Sequence, residues 1–164
     1  MILVAGIHGV GKSSYCRTLK LKLNIPIISA SEMIYSYLHE HSPQNKQVEN
    51  IDGNQHALIM ALRSKNLIGR DYILDGHFCL VNNNGQIEPI NQTIFQQLSP
   101  TEINILTAPV RVIADRLHKR NQISWDKEFI DELQKMEIEY GKQIGKLLEV
   151  PVTVFDEESF SHEE

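Results

Sequence analysis

Short runs of apolar residues alternate along the chain with longer stretches in which apolar positions recur at helical spacing. Continuous apolar runs are typical of parallel strands buried on both faces, and the spaced positions are typical of amphipathic helices. The apolar runs predict five strands, at residues 2–5, 26–29, 72–75, 103–107 and 152–155. The spaced positions predict six helices, at residues 13–23, 31–40, 55–66, 91–98, 109–119, and from 126 or 127 to 148.

Cap and turn residues indicate several boundaries between these elements. Ser31 is a suitable N-cap for the second helix, and Pro109 suits the first turn of the fifth. The run NNNG at residues 82–85 is a strong turn signal, so we expect a small hairpin between residues 78–81 and 86–87.

The alternation of strands and helices predicts an α/β fold with three layers. Parallel strands joined by right-handed helical crossovers place helices on both faces of a single sheet. A chain of 164 residues fits one domain, and neither a repeat nor a low-complexity linker divides it. Polar stretches predict a loop at residues 120–125 and a loop or an irregular helical start at residues 41–50.

The composition is that of an ordinary globular protein, with 41% apolar and 23% charged residues. Cys16 and Cys79 form no disulfide or metal-binding pattern, so we interpret them as small hydrophobic residues in a reducing compartment. The first residues do not form a signal peptide, and no stretch approaches the roughly 20 apolar residues that span a bilayer. We therefore expect a cytoplasmic protein that has no membrane partner.

Charge is distributed unevenly along the chain. Residues 1–30 carry four bases and no acid, a net of +4, whereas residues 126–164 carry twelve acids and four bases, a net of −8. The basic end suits a phosphate ligand. The acidic end argues against a broad nucleic-acid surface, which needs clustered Lys and Arg. It does not exclude the end of an oligonucleotide as a substrate. The acidic run at residues 156–158 is interpreted as a solvated end.

Residues 6–13, with the sequence GIHGVGKS, satisfy the P-loop pattern G-x-x-x-x-G-K-S. A buried strand is predicted before the pattern and a helix after it, as a P-loop requires. Glycines let backbone N–H groups turn onto phosphate oxygens, and the helix N-terminus adds partial positive charge. Lys12 is expected to reach the β- and γ-phosphates of ATP, and the Ser13 hydroxyl to bind Mg²⁺. The predicted nucleotide-binding residues of the loop are Gly6, His8, Gly9, Val10, Gly11, Lys12, Ser13 and Ser14.

Two polar residues at the end of the third predicted strand are further candidates. Ligands of open parallel sheets lie at the carboxyl ends of the strands, so Asp75 is expected to hold Mg²⁺ opposite Ser13. The alternative is a helix cap or a loop acid. His77 is a candidate to orient an acceptor group or act as a base, with a hydrogen bond within the loop as the alternative. His8 is interpreted as a variable loop position, with contact to the nucleotide or acceptor as the alternative.

Three segments of the chain carry a family resemblance. They are the P-loop, the run ILDGH at residues 73–77, and the run INILTAP at residues 103–109 followed by Arg116 and Arg120. Together they resemble the adenylate kinase group of nucleoside monophosphate kinases. The compact archaeal-type adenylate kinases are the nearest likeness, since an apolar hairpin also follows the Asp in that group.

The resemblance implies a five-stranded parallel sheet in the order 2-3-1-4-5, with an acceptor-binding helical region at about 31–66 and a short lid at about 116–126. It also implies that Arg116 and Arg120 contact the phosphates being transferred. The two arginines lie four residues apart and so face one side of a helix, where they supply the positive charge that phosphoryl transfer needs. The alternative is a solvated basic helix end.

The chain departs from the family where the acceptor should bind. Neither residues 31–35 nor the run after Asp75 contains the arginine that holds a monophosphate in family members. Arg63 and Arg70 remain as candidates, although we interpret both as surface residues. Trp125 is interpreted as an anchor for the start of the long helix, with stacking on adenine as the alternative.

These observations favour a phosphotransferase that uses ATP and Mg²⁺, with an acceptor that the sequence leaves open. The acceptor is a nucleotide, a small alcohol or a polynucleotide 5′ end. The predicted catalytic residues are Lys12, Asp75, His77, Arg116 and Arg120. An alternative is an ATP-binding or ATP-hydrolysing partner protein that has no small acceptor, and a further alternative is a polynucleotide 5′-hydroxyl kinase.

Overall fold

The computed structural model describes residues 1–41, 51–122 and 124–157. Strands within these ranges are β1 (Ile2–Ala5), β2 (Ile27–Ser29), β3 (Ile73–Asp75), β4 (Cys79–Val81), β5 (Ile87–Pro89), β6 (Glu102–Thr107) and β7 (Val152–Asp156). Helices are α1 (Lys12–Leu23), α2 (Ala30–His41), α3 (Ile51–Ser64), α4 (Gln92–Leu98), α5 (Val110–Asn121) and α6 (Lys127–Leu148). The loop predicted at residues 41–50 falls outside the described residues except for His41, which belongs to α2.

A parallel sheet of five strands in the order β2-β3-β1-β6-β7 forms the centre of the molecule. Leu3 of β1 pairs with Leu74 of β3 on one side and with Ile103 of β6 on the other. All three side chains are at most 1% exposed, because helices cover both faces of the sheet. The predicted α/β fold is confirmed, and the predicted order 2-3-1-4-5 matches once the two hairpin strands are left out of the count.

The predicted hairpin is formed by β4 and β5, which pair in an antiparallel sheet of their own. The side-chain oxygen of Asn82 accepts hydrogen bonds from the backbone N–H groups of Asn84 (2.9 Å) and Gln86 (3.0 Å). Gly85 adopts a φ of 75°, which a residue without a Cβ takes up readily. The NNNG signal therefore works through local hydrogen bonds that the sequence pattern already contains.

Several element boundaries differ from the predictions. The second helix begins at Ala30, and the hydroxyl of Ser29, not of Ser31, accepts a hydrogen bond from the backbone N–H of Glu32 (3.4 Å). Helix α3 begins at Ile51, four residues before the predicted start, because Ile51 packs against the hydrophobic core. Helix α5 runs to Asn121, so the predicted loop at 120–125 begins later than expected.

Helix α6 lies unusually close to the sheet. A Cβ atom on Gly141 would lie 2.5 Å from Cδ1 of Ile105 and 2.8 Å from Cε2 of Phe78, so only glycine fits without a shift. This close approach brings the middle of α6 under the end of β1 and the start of the hairpin.

No helix within the described ranges is long and apolar enough to cross a bilayer.

Candidate functional site

The loop between β1 and α1 depends on glycine for its shape. Gly6, Gly9 and Gly11 have φ angles of 145°, 91° and 99°, which are rare for residues with a side chain. A Cβ atom on Gly6 would also lie 2.7 Å from the carbonyl oxygen of Leu106. Helix α1 starts directly after Gly11, with no side-chain cap and no acidic residue in its first turn. Its free N–H groups and positive dipole end therefore suit an anion.

Lys12 is held over this loop. Its Nζ donates hydrogen bonds to the carbonyl oxygens of Gly6 (2.6 Å) and Ile7 (3.4 Å) and lies 4.0 Å from a carboxylate oxygen of Asp75. Burial lowers the pKa of Lys12, while the negative charges of Asp75 and Glu137 oppose that shift. The structure thus places one buried ammonium group among oxygen atoms at the base of the loop.

A cleft of about 840 Å³ opens above the loop, and we call it the P-loop cleft. Its lining includes the predicted site residues His8, Gly9, Gly11, Lys12, Ser13, Ser14, Asp75, His77, Arg116 and Arg120, together with Arg17, Glu32 and Glu157. Two predicted residues do not line it. Gly6 and Val10 are buried beneath the loop, and the Val10 side chain belongs to the hydrophobic core.

Asp75, His8 and His77 are polar residues that line the P-loop cleft together. Burial raises the pKa of Asp75, and nearby Glu32 adds to this, whereas Lys12 lowers it. The rings of His8 and His77 lie 4.6 Å apart. His8 keeps part of its surface exposed, and its partial burial, with the charges of Lys12 and Arg120, lowers its pKa. Burial and the charge of Lys12 also hold the pKa of His77 well below its usual value, so both rings are neutral at pH 7.

Arginines of α5 also line the P-loop cleft. Arg116 donates a hydrogen bond to the carbonyl oxygen of Gly9 (3.0 Å) and forms a close ion pair with Glu157. Arg120 is exposed in the last turn of the helix. The prediction of a solvated acidic end was wrong for Glu157, because β7 ends beside α5 and brings its carboxylate to Arg116. Glu158 lies outside the described residues.

Glu137 is a residue of this region that the sequence analysis missed. It is 1% exposed and accepts hydrogen bonds from the backbone N–H groups of Gly6 (3.1 Å), Phe78 (2.9 Å) and Cys79 (2.7 Å). Burial raises its pKa to about 7, although these hydrogen bonds and Lys12 favour the charged form. The signal was present in the sequence, since Glu137 shares one face of α6 with the buried residues Ile130, Leu133, Gly141 and Ile144.

The remaining candidates lie away from the P-loop cleft. Arg63 donates a hydrogen bond to the side chain of Gln97 (3.1 Å), and both Arg63 and Arg70 are exposed and absent from the cleft lining. Trp125 lies beside Phe129, with ring centroids 6.0 Å apart, and packs against the core just before α6. Trp125 therefore sits where an anchor for the start of α6 is needed, and it is not part of the cleft wall.

The oxygen atoms of the cleft fit Mg²⁺ bound together with phosphates. Ser13 and Asp75 supply a hydroxyl and a carboxylate on the same cleft, which are donors that Mg²⁺ prefers. Within the described ranges, no group of three or more His, Cys, Asp or Glu side chains is placed to hold a metal ion alone. Mg²⁺ commonly needs no such cage, because one or two carboxylates, water and substrate phosphates complete its shell.

The sheet order, the glycine loop and the buried lysine define a P-loop nucleotide-binding domain. Residues 5–138 match the AAA domain family, so the chain belongs to that family. No curated protein sequence matches the chain.

Three solved structures with a similar fold are small-molecule kinases by name. A gluconokinase from Sinorhizobium meliloti is 14% identical, with 94% of this chain and 81% of that chain covered and a TM-score of 0.55. A shikimate kinase from Bacteroides thetaiotaomicron is 15% identical, with coverages of 99% and 89% and a TM-score of 0.55. A deoxyadenosine kinase from M. mycoides is 20% identical, with coverages of 96% and 90% and a TM-score of 0.54. At these identities the likeness concerns the fold, and it confirms the predicted resemblance to the P-loop group of nucleoside monophosphate kinase-like proteins.

Proposed function

We propose that the protein is a phosphotransferase that uses ATP and Mg²⁺ and moves the γ-phosphoryl group to a nucleotide or another small acceptor. The observation that carries the proposal is the convergence of Lys12, Asp75, Arg116 and Arg120 on one cleft beside the P-loop. Catalysis of phosphoryl transfer consists mainly of positioning and of neutralising charge, and this arrangement suits both tasks. The kinase names of the structures with a similar fold also support the proposal.

The P-loop side of the cleft would hold the nucleotide. The N–H groups of the loop and of the first turn of α1 surround the phosphates, and Lys12 exchanges its contact with Gly6 for the β- and γ-phosphates. Ser13 and Asp75 would hold Mg²⁺, which neutralises charge on the phosphates when bound. His8, Gly9, Gly11 and Ser14 line the same side of the cleft.

Arg116 and Arg120 would act on the transferred group. During transfer the bond from the γ-phosphorus to the oxygen of ADP breaks, and a bond to an acceptor oxygen forms. In that transition state the equatorial oxygens carry negative charge, which positively charged groups beside them stabilise. A hydroxyl acceptor must also lose its proton, and Asp75 and the neutral ring of His77, which line the same cleft, are the candidate bases.

A second candidate is a nucleotide-dependent partner protein that hydrolyses ATP without a small acceptor. One observation favours it, because Arg63 and Arg70, the remaining candidates to bind a monophosphate, do not line the P-loop cleft. In that case ATP hydrolysis would switch a conformation or an assembly.

ATP turnover with Mg²⁺ separates the two candidates. ADP and any new phosphorylated product are measured without an acceptor, and then with nucleoside monophosphates, nucleosides, small alcohols or a 5′-hydroxyl oligonucleotide. A phosphotransferase shows one acceptor that raises ADP formation and becomes phosphorylated itself. Slow ADP formation with every acceptor and no labelled product would contradict the transfer reaction and favour the partner protein.

A further inference from the structure

A second cavity adjoins the P-loop cleft at the ends of β2 and β3. It has a volume of about 390 Å³ and lies between α2, α3, α4 and the sheet, and we call it the α2–α3 cavity. Ala30, Ser31 and His77 line both spaces. A molecule in the cavity would therefore reach the P-loop cleft at the wall that carries Asp75.

The walls of the α2–α3 cavity are apolar and uncharged. Ile34, Leu58, Ile94 and Phe95 are among the lining residues, and an apolar lining suits a flat ring. Among the described residues, no Lys, Arg, Asp or Glu side chain lines the cavity. Among these described residues, a phosphate group placed there would find no positive charge to replace its hydration.

The amide of Gln55 is a buried polar feature of the cavity. Gln55 is 6% exposed and lines the cavity. A carboxamide offers a donor and an acceptor side by side. A ring with adjacent donor and acceptor atoms, such as a nucleobase, would satisfy both. Asn54 supplies a second amide on the same turn of α3.

Charges near the junction of the two spaces also disfavour an anionic acceptor. Glu32, in the first turn of α2, lines the P-loop cleft next to Ser31. The cations Lys12, Arg116 and Arg120 belong to the P-loop and α5, on the nucleotide side. Arg17 also lines the cleft, but its Nε donates to the carbonyl oxygen of Ser13 within α1 (3.1 Å).

We propose that the acceptor is an uncharged nucleoside, whose base occupies the α2–α3 cavity against Gln55 and whose hydroxyl faces the P-loop cleft near Ser31 and His77. The inference rests on the proposed phosphotransferase function. The nucleoside hydroxyl oxygen forms a bond to the γ-phosphorus of ATP, and the bond from that phosphorus to ADP breaks. The hydroxyl proton passes to Asp75 or His77. The products are ADP and a nucleoside monophosphate.

Matched pairs of acceptors test the proposal. Each nucleoside is compared with its own 5′-monophosphate at equal concentration, with Mg²⁺ and labelled ATP. A set of sugars and sugar acids serves as acceptors that lack a nucleobase. At least one nucleoside should be phosphorylated with a kcat/KM about 100-fold above that of its monophosphate. Preference for a monophosphate, or for a sugar over every nucleoside, overturns the acceptor class while the transfer function stands. No transfer to any acceptor overturns both.

A substitution then tests the role of Gln55. Gln55→Leu keeps a similar volume but removes both hydrogen-bonding groups, so the KM for the preferred nucleoside should rise about 10- to 100-fold. Gln96→Leu changes an exposed glutamine of α4 outside the cavity and should leave that KM unchanged. Thermal unfolding of both variants shows that they are folded. An unchanged KM in a folded Gln55→Leu protein contradicts the placement of the base.

Discussion

Lys12 and Glu137 both contact the backbone of Gly6. The carbonyl oxygen of Gly6 accepts a hydrogen bond from Lys12, and the N–H group of the same residue donates to Glu137. Both residues are buried, with Lys12 8% and Glu137 1% exposed, so their charged forms depend on these contacts. At the scale of single residues, the shape of the P-loop therefore depends on two buried ionisable side chains as well as on its glycines.

Replacement of Lys12 tests the phosphate contact. Lys12→Ala should weaken ATP binding about 100-fold, since the buried cation that meets the β- and γ-phosphates is lost. Calorimetric titration with a non-hydrolysable ATP analogue and Mg²⁺ measures the change. Lys20→Ala, at an exposed lysine of the same helix, is the control and should bind normally. Equal affinity for the two variants would remove Lys12 from the nucleotide site.

Replacement of Glu137 tests the buried carboxyl group. Burial raises the pKa of Glu137 in the folded protein to about 7, so folding favours its protonated form. The stability that protonated Glu137 contributes is fully present below the pKa that this carboxyl has in the unfolded chain. It is lost as the pH rises through the folded-state pKa of about 7. Relative to Glu137→Gln, which cannot ionise, the wild-type free energy of unfolding should fall by about 2 kcal/mol between pH 5 and pH 8.

Urea unfolding of both proteins across this pH range measures the difference. Glu139→Gln, at an exposed glutamate of α6, is the control. A difference between wild type and Glu137→Gln that stays constant with pH would mean that Glu137 remains ionised throughout, held by its three N–H donors.

At the scale of elements, α6 determines how the hairpin and the P-loop meet. Its two buried glycines, Gly141 and Gly145, let the helix approach the sheet closely. Glu137 lies one turn before Gly141. The carboxylate then reaches the start of β4 and the end of β1 together. A helix held farther from the sheet would leave the N–H groups of Gly6 and Cys79 without this acceptor.

A methyl group added to α6 tests the close approach. Gly141→Ala should lower the free energy of unfolding by about 1–3 kcal/mol, because the new Cβ atom meets Ile105 and Phe78. This loss opposes the gain of roughly 1 kcal/mol that alanine normally brings to a helix interior. Lys142→Ala, at the exposed neighbouring position, is the matched control. Stabilisation by Gly141→Ala in urea unfolding would show that the helix has room to move.

At the scale of the whole molecule, the P-loop cleft is assembled from distant parts of the chain. The P-loop and α1 come from the first residues, Asp75 and His77 from the middle, and Arg116 and Glu157 from the last third. Arg116 links two of these parts, because it contacts both Gly9 and Glu157. Arg120 remains exposed at the rim, close enough for its charge to lower the pKa of His8 and Lys12.

Arg120 tests whether this assembly performs transfer. Arg120→Ala should slow phosphoryl transfer by roughly 10- to 1000-fold with little change in ATP affinity, because its charge is needed mainly in the transition state. Steady-state kinetics with the preferred acceptor, together with ATP titration, give the two quantities. Arg111→Ala, at an exposed arginine of the same helix, should behave as wild type. An unchanged turnover for Arg120→Ala would contradict its assigned role.

The sequence by itself determined the features that depend on neighbouring residues. The alternation of strands and helices, the NNNG hairpin and the P-loop with Lys12 and Ser13 all follow from short patterns, since their periodicities, turn preferences and backbone N–H groups act within a few residues. Asp75 also followed from local information, because the end of a buried strand fixes the edge of the sheet where ligands bind.

Only the tertiary structure decided which distant groups meet. The contact of Glu137 with Gly6 spans 131 positions, and that of Arg116 with Gly9 spans 107. No short pattern encodes such pairs, because they depend on how closely α5 and α6 pack against the sheet. The same holds for the α2–α3 cavity, where the buried Gln55 lines a space that exists only once helices and sheet have packed.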